Sequence, residues 1–318
     1  MKHRVAVTGM GVVCPIGSST PAFLDALLAG RSGVRAITVF DASTLPTRIA
    51  GESELPEEVP LGDRKIAFAL EAARQAMREA GSPRAGREAG VSMGVGLELF
   101  SMDDLVASRR EGFTLPARLE ERLSFMQTPS DLCVHMIARE HGFHAPPLVH
   151  VSACAAGTDA IGAAYRAIAS GRRRTMLAGG TDSMINPLGV AGFCALSATS
   201  TKNDEPTRAS RPFDKTRDGF VMGEGAGVLV LERLDDAHAR GATVLAEIRG
   251  YGSSFDAHGI SEPHPEGRGA LQSMSRALAD AGLSPDDVDA VNAHGTGTPK
   301  NDPVESLAIT RLLGERAK

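Results

Sequence analysis

The sequence lacks most of the features that place a chain in a specialised class. Its four cysteines, Cys14, Cys133, Cys154 and Cys194, are scattered without CxxC spacing, which argues against a zinc site and a disulfide-stapled scaffold. Neither sign of charge dominates. Thirty-four Lys and Arg stand against 39 Asp and Glu, for a formal net charge of −5, so sequence-independent binding to nucleic acid is not expected. No apolar run approaches the ~20 residues of a membrane span, and the start, "MKHRVAVTGMGVV", has no apolar signal-peptide core. A cytoplasmic protein is the expectation. What is present is 42% hydrophobic residues and 35 glycines in 318 residues. That suits a packed core with close helix-to-strand contacts, as in layered α/β proteins.

Along the chain, "RVAVTGMGVV" reads as an apolar strand broken by Gly9 and Gly11, and "IAFALEAARQAMREA" (66–80) as a strong helix stopped at Gly81. "GVSMGVGLEL" (90–99) is a strand, and "SDLCVHMIAREHG" (130–142) a helix capped by Ser130. "LVHVSA", a helix over about 155–170, and "TMLAGG" form a βαβ unit. Residues 199–219 read as an ordered surface crossing, because they lack low complexity. Two segments echo each other: 77–96 and 278–297 each end a helix at Ala-Gly and run into a strand and a Gly-rich turn. Each follows a Gly-x-Gly strand, Gly9-Met10-Gly11 and Gly250-Tyr251-Gly252. The pattern implies two similar halves, the second ending before the element that would match the Cys154 strand and helix.

Gly9-Met10-Gly11 lacks the third glycine of a dinucleotide fingerprint, so a tight turn is the favoured reading. Cys154 sits among small residues where a helix begins, and there backbone N–H groups and the helix dipole favour a thiolate. The same N–H groups suit an oxyanion. These residues alone leave two roles open for it, buried inert thiol and nucleophile. His294, in "VNAHGTGTPKND", follows a buried-looking strand and precedes a turn with two hydroxyls, a position suited to site chemistry. His258 and His264 share a loop that could border a pocket. The glycines of "RDGFVMGEGAG" suggest close backbone approach, and without a following GK[ST] they do not read as a phosphate cradle.

Together, "VSACAAG", "PLGVAGF", "RASRPFDKTRDGFVMGEGAGVLVLE", "ARGATVLAEIRGYG" and "NAHGTGTPKND", in this order and spacing, resemble the β-ketoacyl-acyl carrier protein synthases of the elongating type. These are condensing enzymes of the thiolase superfamily. "RVAVTGMGVVCPIG" and "LLAGRSGV" fit too, so the resemblance covers nearly the whole chain. It implies a thiolase-like α/β fold with duplicated halves in α/β/α/β/α layers. One half would occupy 1–244 and carry the nucleophile; an incomplete second half would occupy 245–318. It implies decarboxylative Claisen condensation in fatty-acid or polyketide elongation. Cys154 would hold the acyl group, His294 would help stabilise the malonyl-derived enolate, and Thr296 and Thr298 would hold the phosphopantetheine arm. Leu97 and Phe193 fall where the family places acyl-pocket and gating side chains, or else are ordinary core residues. No cofactor of its own and no metal are implied. The implied partners are acyl carrier protein, acyl and malonyl thioesters, and a second ketosynthase chain in a homodimer or heterodimer. Arg64 and Lys65 read as solvated surface charge, or as contacts to the acidic carrier protein. The family's second histidine, a lysine and a Gly/Phe-rich loop have no counterpart here. Truncation, completion by another polypeptide and degeneration would each account for that. A non-catalytic partner subunit, like a chain-length factor, is the rival reading; Cys154 speaks against it, and the absent second histidine and lysine speak for it.

Overall fold

The computed structural model describes residues 2–57, 59–81, 83–96, 130–259 and 262–317. In chain order these form β1 (Val5–Val13), α1 (Thr20–Leu28), β2 (Arg35–Ala36), β3 (Ile49–Ala50), α2 (Arg64–Glu79) and β4 (Ala89–Val95). Then come α3 (Leu132–His141), β5 (Leu148–His150), α4 (Ala156–Ala169), β6 (Thr175–Asp182) and α5 (Pro187–Ala195). The last are β7 (Gly225–Arg233), α6 (Leu234–Ala239), β8 (Ala246–Ile248), α7 (Arg268–Ala281) and α8 (Asn301–Leu313). They fall into two compact units, the first made of Met1–Arg31, Ser53–Met184 and Glu224–Glu247 and the second of Ser32–Glu52, Ile185–Gly223 and Ile248–Lys318.

The first unit is built on a mixed sheet with strand order β5-β4-β6-β7-β1-β8. β5, β4 and β6 run parallel, while β7 pairs antiparallel with both β6 and β1. The expected βαβ unit is present as β5–α4–β6, and its crossover passes over β4. Alternation along β4 separates the two faces of the sheet. Val91, Met93 and Val95 join the core with α2 and α3, whereas Ser92 and Gly94 face α4. α2 is rich in alanine on its buried side, with Ala69, Ala72, Ala73 and Ala76 fully buried, and that lets it lie close to the sheet.

The two Gly-x-Gly segments have a packing role. β1 runs through Gly9 and Gly11 without a turn, and the expected break is reduced to a register shift between Val7 and Gly9. A Cβ at Gly9 would lie 2.1 Å from the Ala76 carbonyl oxygen, and one at Gly11 would lie 1.9 Å from that of Ala72. In the second unit a Cβ at Gly250 would meet the Ala277 carbonyl at 2.4 Å, and one at Gly252 that of Ser273 at 2.1 Å. Polar pinning repeats as well. The Met10 N–H donates to Glu79 at 2.6 Å and the Tyr251 N–H to Asp280 at 3.0 Å. Both helices then stop at a left-handed glycine, Gly81 and Gly282. The duplication seen in the sequence is therefore a duplicated close approach of a Gly-x-Gly backbone to a helix, on strand β1 in the first copy and beyond the end of β8 in the second.

Several expectations are corrected. The strand expected in 243–252 is only Ala246–Ile248. The segment expected to lead as a strand into the His294 turn has no ladder partner among the described residues, and Val291 within it is 41% exposed. A strand persists only where its N–H and C=O groups are paired, and the apolar pattern of 288–293 does not supply that pairing. α3 begins at Asp131 without a side-chain cap, so Ser130 is not its cap. Lys65 is 1% exposed and ion-pairs with buried Asp63, while Arg64 pairs with buried Glu224. Neither residue is solvated surface charge. The 199–219 crossing is ordered as expected: Arg211 donates to the Thr216 carbonyl at 3.0 Å and the Thr216 N–H to Asp214 at 2.7 Å.

Candidate functional site

Cys154 lies in the first unit, in a 3₁₀ turn over Ala153–Ala155 that leads directly into α4. The head of α4 is pressed against β4, because Gly94 has no Cβ; one placed there would sit 2.3 Å from the Ala156 carbonyl carbon. The turn stays on the surface, and Cys154 is exposed. Ala155, the N-cap residue of α4, offers no side-chain acceptor at the helix start, where the Ala156 N–H donates to the Ala153 carbonyl and the Ala155 N–H to that of Ser152. Cys133 shows the contrast. It is buried in α3, and burial pushes its thiol up to about 12, which leaves it unreactive at ordinary pH. None of the four cysteines forms a disulfide.

Two polar contacts flank the Cys154 turn. The Ser152 hydroxyl donates to Asp159 Oδ2 at 2.5 Å. Behind it, the Ser92 hydroxyl donates to the Ala160 carbonyl at 2.8 Å and faces His150 Nε2 at 3.1 Å. With its proton committed to Ala160, Ser92 accepts from His150, so Nε2 carries the imidazole hydrogen. Burial lowers the His150 pKa, and the nearby Asp159 charge opposes this.

His294, Thr296 and Thr298 stand in the second unit, on the loop that precedes α8. Two acids at the start of α8 clamp this loop. Glu305 accepts the N–H groups of His294 at 2.6 Å and Gly295 at 2.9 Å. Asp302 is 1% exposed and accepts the N–H groups of Phe213 at 2.7 Å and Gly297 at 3.1 Å. It also pairs with Arg217 at 3.5 Å, whose Nε donates to the Thr298 carbonyl at 3.2 Å. The Thr296 and Thr298 hydroxyls are 2.9 Å apart. Gly297, at φ 73°, takes a left-handed bend that a side chain would strain. The loop thus presents His294 on its exposed side with its backbone fixed from below.

Phe193, on α5, packs edge-on against Phe220 with ring centroids 5.5 Å apart. Leu97 lies outside the described residues. Three of the predicted site residues, His294, Thr296 and Thr298, thus share one loop, Phe193 stands on another element of the same unit, and Cys154 belongs to the other unit. Sequence reasoning missed Asp302, Glu305, Arg217, Ser152 and Asp159. The cue for the first two was the run "NDPVE", acids at a helix start directly after a Gly/Thr turn. The His258 and His264 rings lie 5.1 Å apart. Among the described residues no group of three or more His, Cys, Asp or Glu side chains could hold a metal ion. No helix among them is long and apolar enough to cross a membrane.

Comparisons with known proteins cover both units. Residues 2–237 match the family described as beta-ketoacyl synthase, N-terminal domain, and residues 245–318 match the corresponding C-terminal domain. A 3-oxoacyl-(acyl-carrier-protein) synthase 2 from Coxiella burnetii is 41% identical over 99% of this chain and 78% of its own length. Among solved structures, a type II polyketide-synthase acyl-carrier protein in complex with its ketosynthase bound to the hexaketide superposes with a TM-score of 0.86. It is 31% identical, over 99% of this chain and 79% of that one. The ishigamide ketosynthase/chain length factor matches with a TM-score of 0.85 and 32% identity over the same shares.

Proposed function

The chain belongs to the β-ketoacyl synthase family, and from that membership we propose that it carries out decarboxylative condensation of acyl and malonyl thioesters, with Cys154 as nucleophile. In the first step Cys154 Sγ bonds to the carbonyl carbon of an acyl thioester. The oxyanion collapses, the carbon–sulfur bond to pantetheine breaks, and the departing thiolate takes up a proton. In the second step a malonyl thioester loses CO₂ and its enolate attacks the Cys154-bound acyl carbon, expelling the Cys154 thiolate and leaving a β-ketoacyl thioester. His294 is assigned to donate a hydrogen bond to the enolate oxygen, and Thr296 and Thr298 to hold the pantetheine arm. Phe193 and Leu97 are assigned to the acyl pocket and its gate. The acyl groups arrive on the phosphopantetheine of an acyl carrier protein, so no further cofactor enters.

One observation carries the reading: an exposed thiol at the head of α4, among small residues and with no side-chain cap at the helix start. The carrier protein and a second related ketosynthase chain are the proposed partners. The two solved structures above are a ketosynthase with its acyl-carrier protein and a ketosynthase/chain length factor. We place the division between the halves at 244/245, supported by family matches that stop at 237 and resume at 245. A cytoplasmic setting fits this chemistry. The test is the intact mass after incubation with acetyl-acyl carrier protein. The parent chain is expected to gain one acetyl group and Cys154→Ala none. A gain that persists in Cys154→Ala refutes the assignment, and no gain in the parent favours a non-catalytic partner subunit.

A further inference from the structure

Among the described residues of the first unit, Ala153 is the one non-glycine residue with positive φ, at 49°. A backbone in that region persists only where its surroundings over-determine it. Ala153 immediately precedes Cys154, so whatever holds Ala153 also aims the thiol. Besides the bond from the Ala156 N–H to the Ala153 carbonyl, two hydrogen bonds close the turn. The Ala155 N–H donates to the Ser152 carbonyl at 3.1 Å. The Ser152 hydroxyl reaches across the turn to Asp159 Oδ2 at 2.5 Å, a length typical of an O–H donor on a carboxylate. This second bond ties the residue before the strained position to the first turn of α4, bracketing Cys154 from both sides. The Asp159 charge also acts on His150 of β5, which is in contact with Ser92 of β4.

We infer that Ser152 and Asp159 are a positioning pair for acyl transfer, holding the strained turn in the one conformation that presents Cys154. The inference rests on the reading of Cys154 as the nucleophile. The pair's assigned role is to hold the turn that carries the thiol. Without the bond, Ala153 relaxes to negative φ and the thiol is re-aimed, which slows transfer, because a misplacement of ~1 Å can cost about a hundredfold. An Asp159 that served only the helix dipole would act without Ser152, and the two possibilities separate on that point.

The experiment follows transfer from acetyl-pantetheine to the full chain by intact mass at varied thioester concentration. Ser152→Ala and Asp159→Ala are each expected to lower the saturating rate about tenfold, equivalent to about 1.4 kcal/mol, with half-saturation unchanged. The double variant is expected to be no slower than either single, because both remove one interaction. Ser152→Thr restores the donor and Asp159→Asn keeps an acceptor, so both should run near the parent rate and show that the slow variants are not merely misfolded. Parent-like rates in Ser152→Ala, or additive losses in the double, overturn the pair while Cys154→Ala still blocks labelling. Labelling that survives in Cys154→Ala overturns the nucleophile reading itself, and the two failures are thereby told apart.

Discussion

Replacing Asp302 tests whether the His294–Thr298 loop is held from below by one carboxylate. Asp302 is 1% exposed and receives two backbone N–H groups at 2.7 and 3.1 Å, from the 211–219 segment and from the loop itself. In Asp302→Asn the amide keeps one acceptor oxygen and turns an NH₂ toward the other N–H, which strands one donor. A lost hydrogen bond to a charged group is worth about 1.5–3 kcal/mol, and that is the expected cost. Asp302→Ala strands both donors and unpairs Arg217, whose side chain is 18% exposed. Breaking a buried pair costs about 3–5 kcal/mol, and partial rehydration of Arg217 places the expectation at the lower end. The sequence has no tryptophan, so urea unfolding is best followed by far-UV circular dichroism, with the midpoint converted through the slope. In the folded fraction, the half-saturating concentration of carrier thioester should rise about tenfold, or about 1.4 kcal/mol of binding, because the loop carries Thr296 and Thr298. An Asp302→Ala protein within about 1 kcal/mol of the parent, with unchanged half-saturation, would refute the clamp.

The duplicated contact of Gly-x-Gly backbone on helix predicts parallel penalties. Gly11→Ala and Gly252→Ala each drive a Cβ to about 2 Å from a helix carbonyl, and each should cost about 1–3 kcal/mol or more; a parent-like melting temperature for either would contradict the contact. Cys133 should resist iodoacetamide at pH 8 until the chain is unfolded, while Cys154 labels first in peptide mapping. Burial raises the Cys133 thiol from its ordinary value of 9.0 to about 12, so the folded state holds that proton more tightly than the unfolded one. Its contribution to stability is therefore complete below about pH 9 and is lost as pH rises toward about 12. Cys133→Ala should flatten that alkaline loss, and unchanged alkaline unfolding would remove the thiol as its cause.

Local patterns carried much of the fold. Periodicity located α2 and α4, the apolar runs located β1, β4 and β6, and composition marked the α/β class. The proposed site rests on residue type: a thiol among small residues at a helix start, and a histidine before two threonines. Ser152–Asp159 was not legible, because the contact crosses a strained turn, over which neither helical nor strand periodicity holds. Lys65 was misread for a different reason. A charge beside Asp63 and Arg64 looks solvated in one dimension, and only the fold shows both members of its ion pair buried. The segment before His294 was misread because apolar alternation reports which side chains could be covered, whereas a strand also needs a neighbour for its backbone. Gly-x-Gly is the most instructive error. Read as backbone freedom, it suggested a turn; read against its helix, it is a pair of missing Cβ atoms opposite small residues, Ala72, Ala76 and Ala80 in one copy and Ser273, Ala277 and Ala281 in the other. Those residues recur at four-residue spacing, which stacks them on one helix face. The packing was written in the sequence twice, and it could be read only by pairing the strand's glycines with the helix's small face.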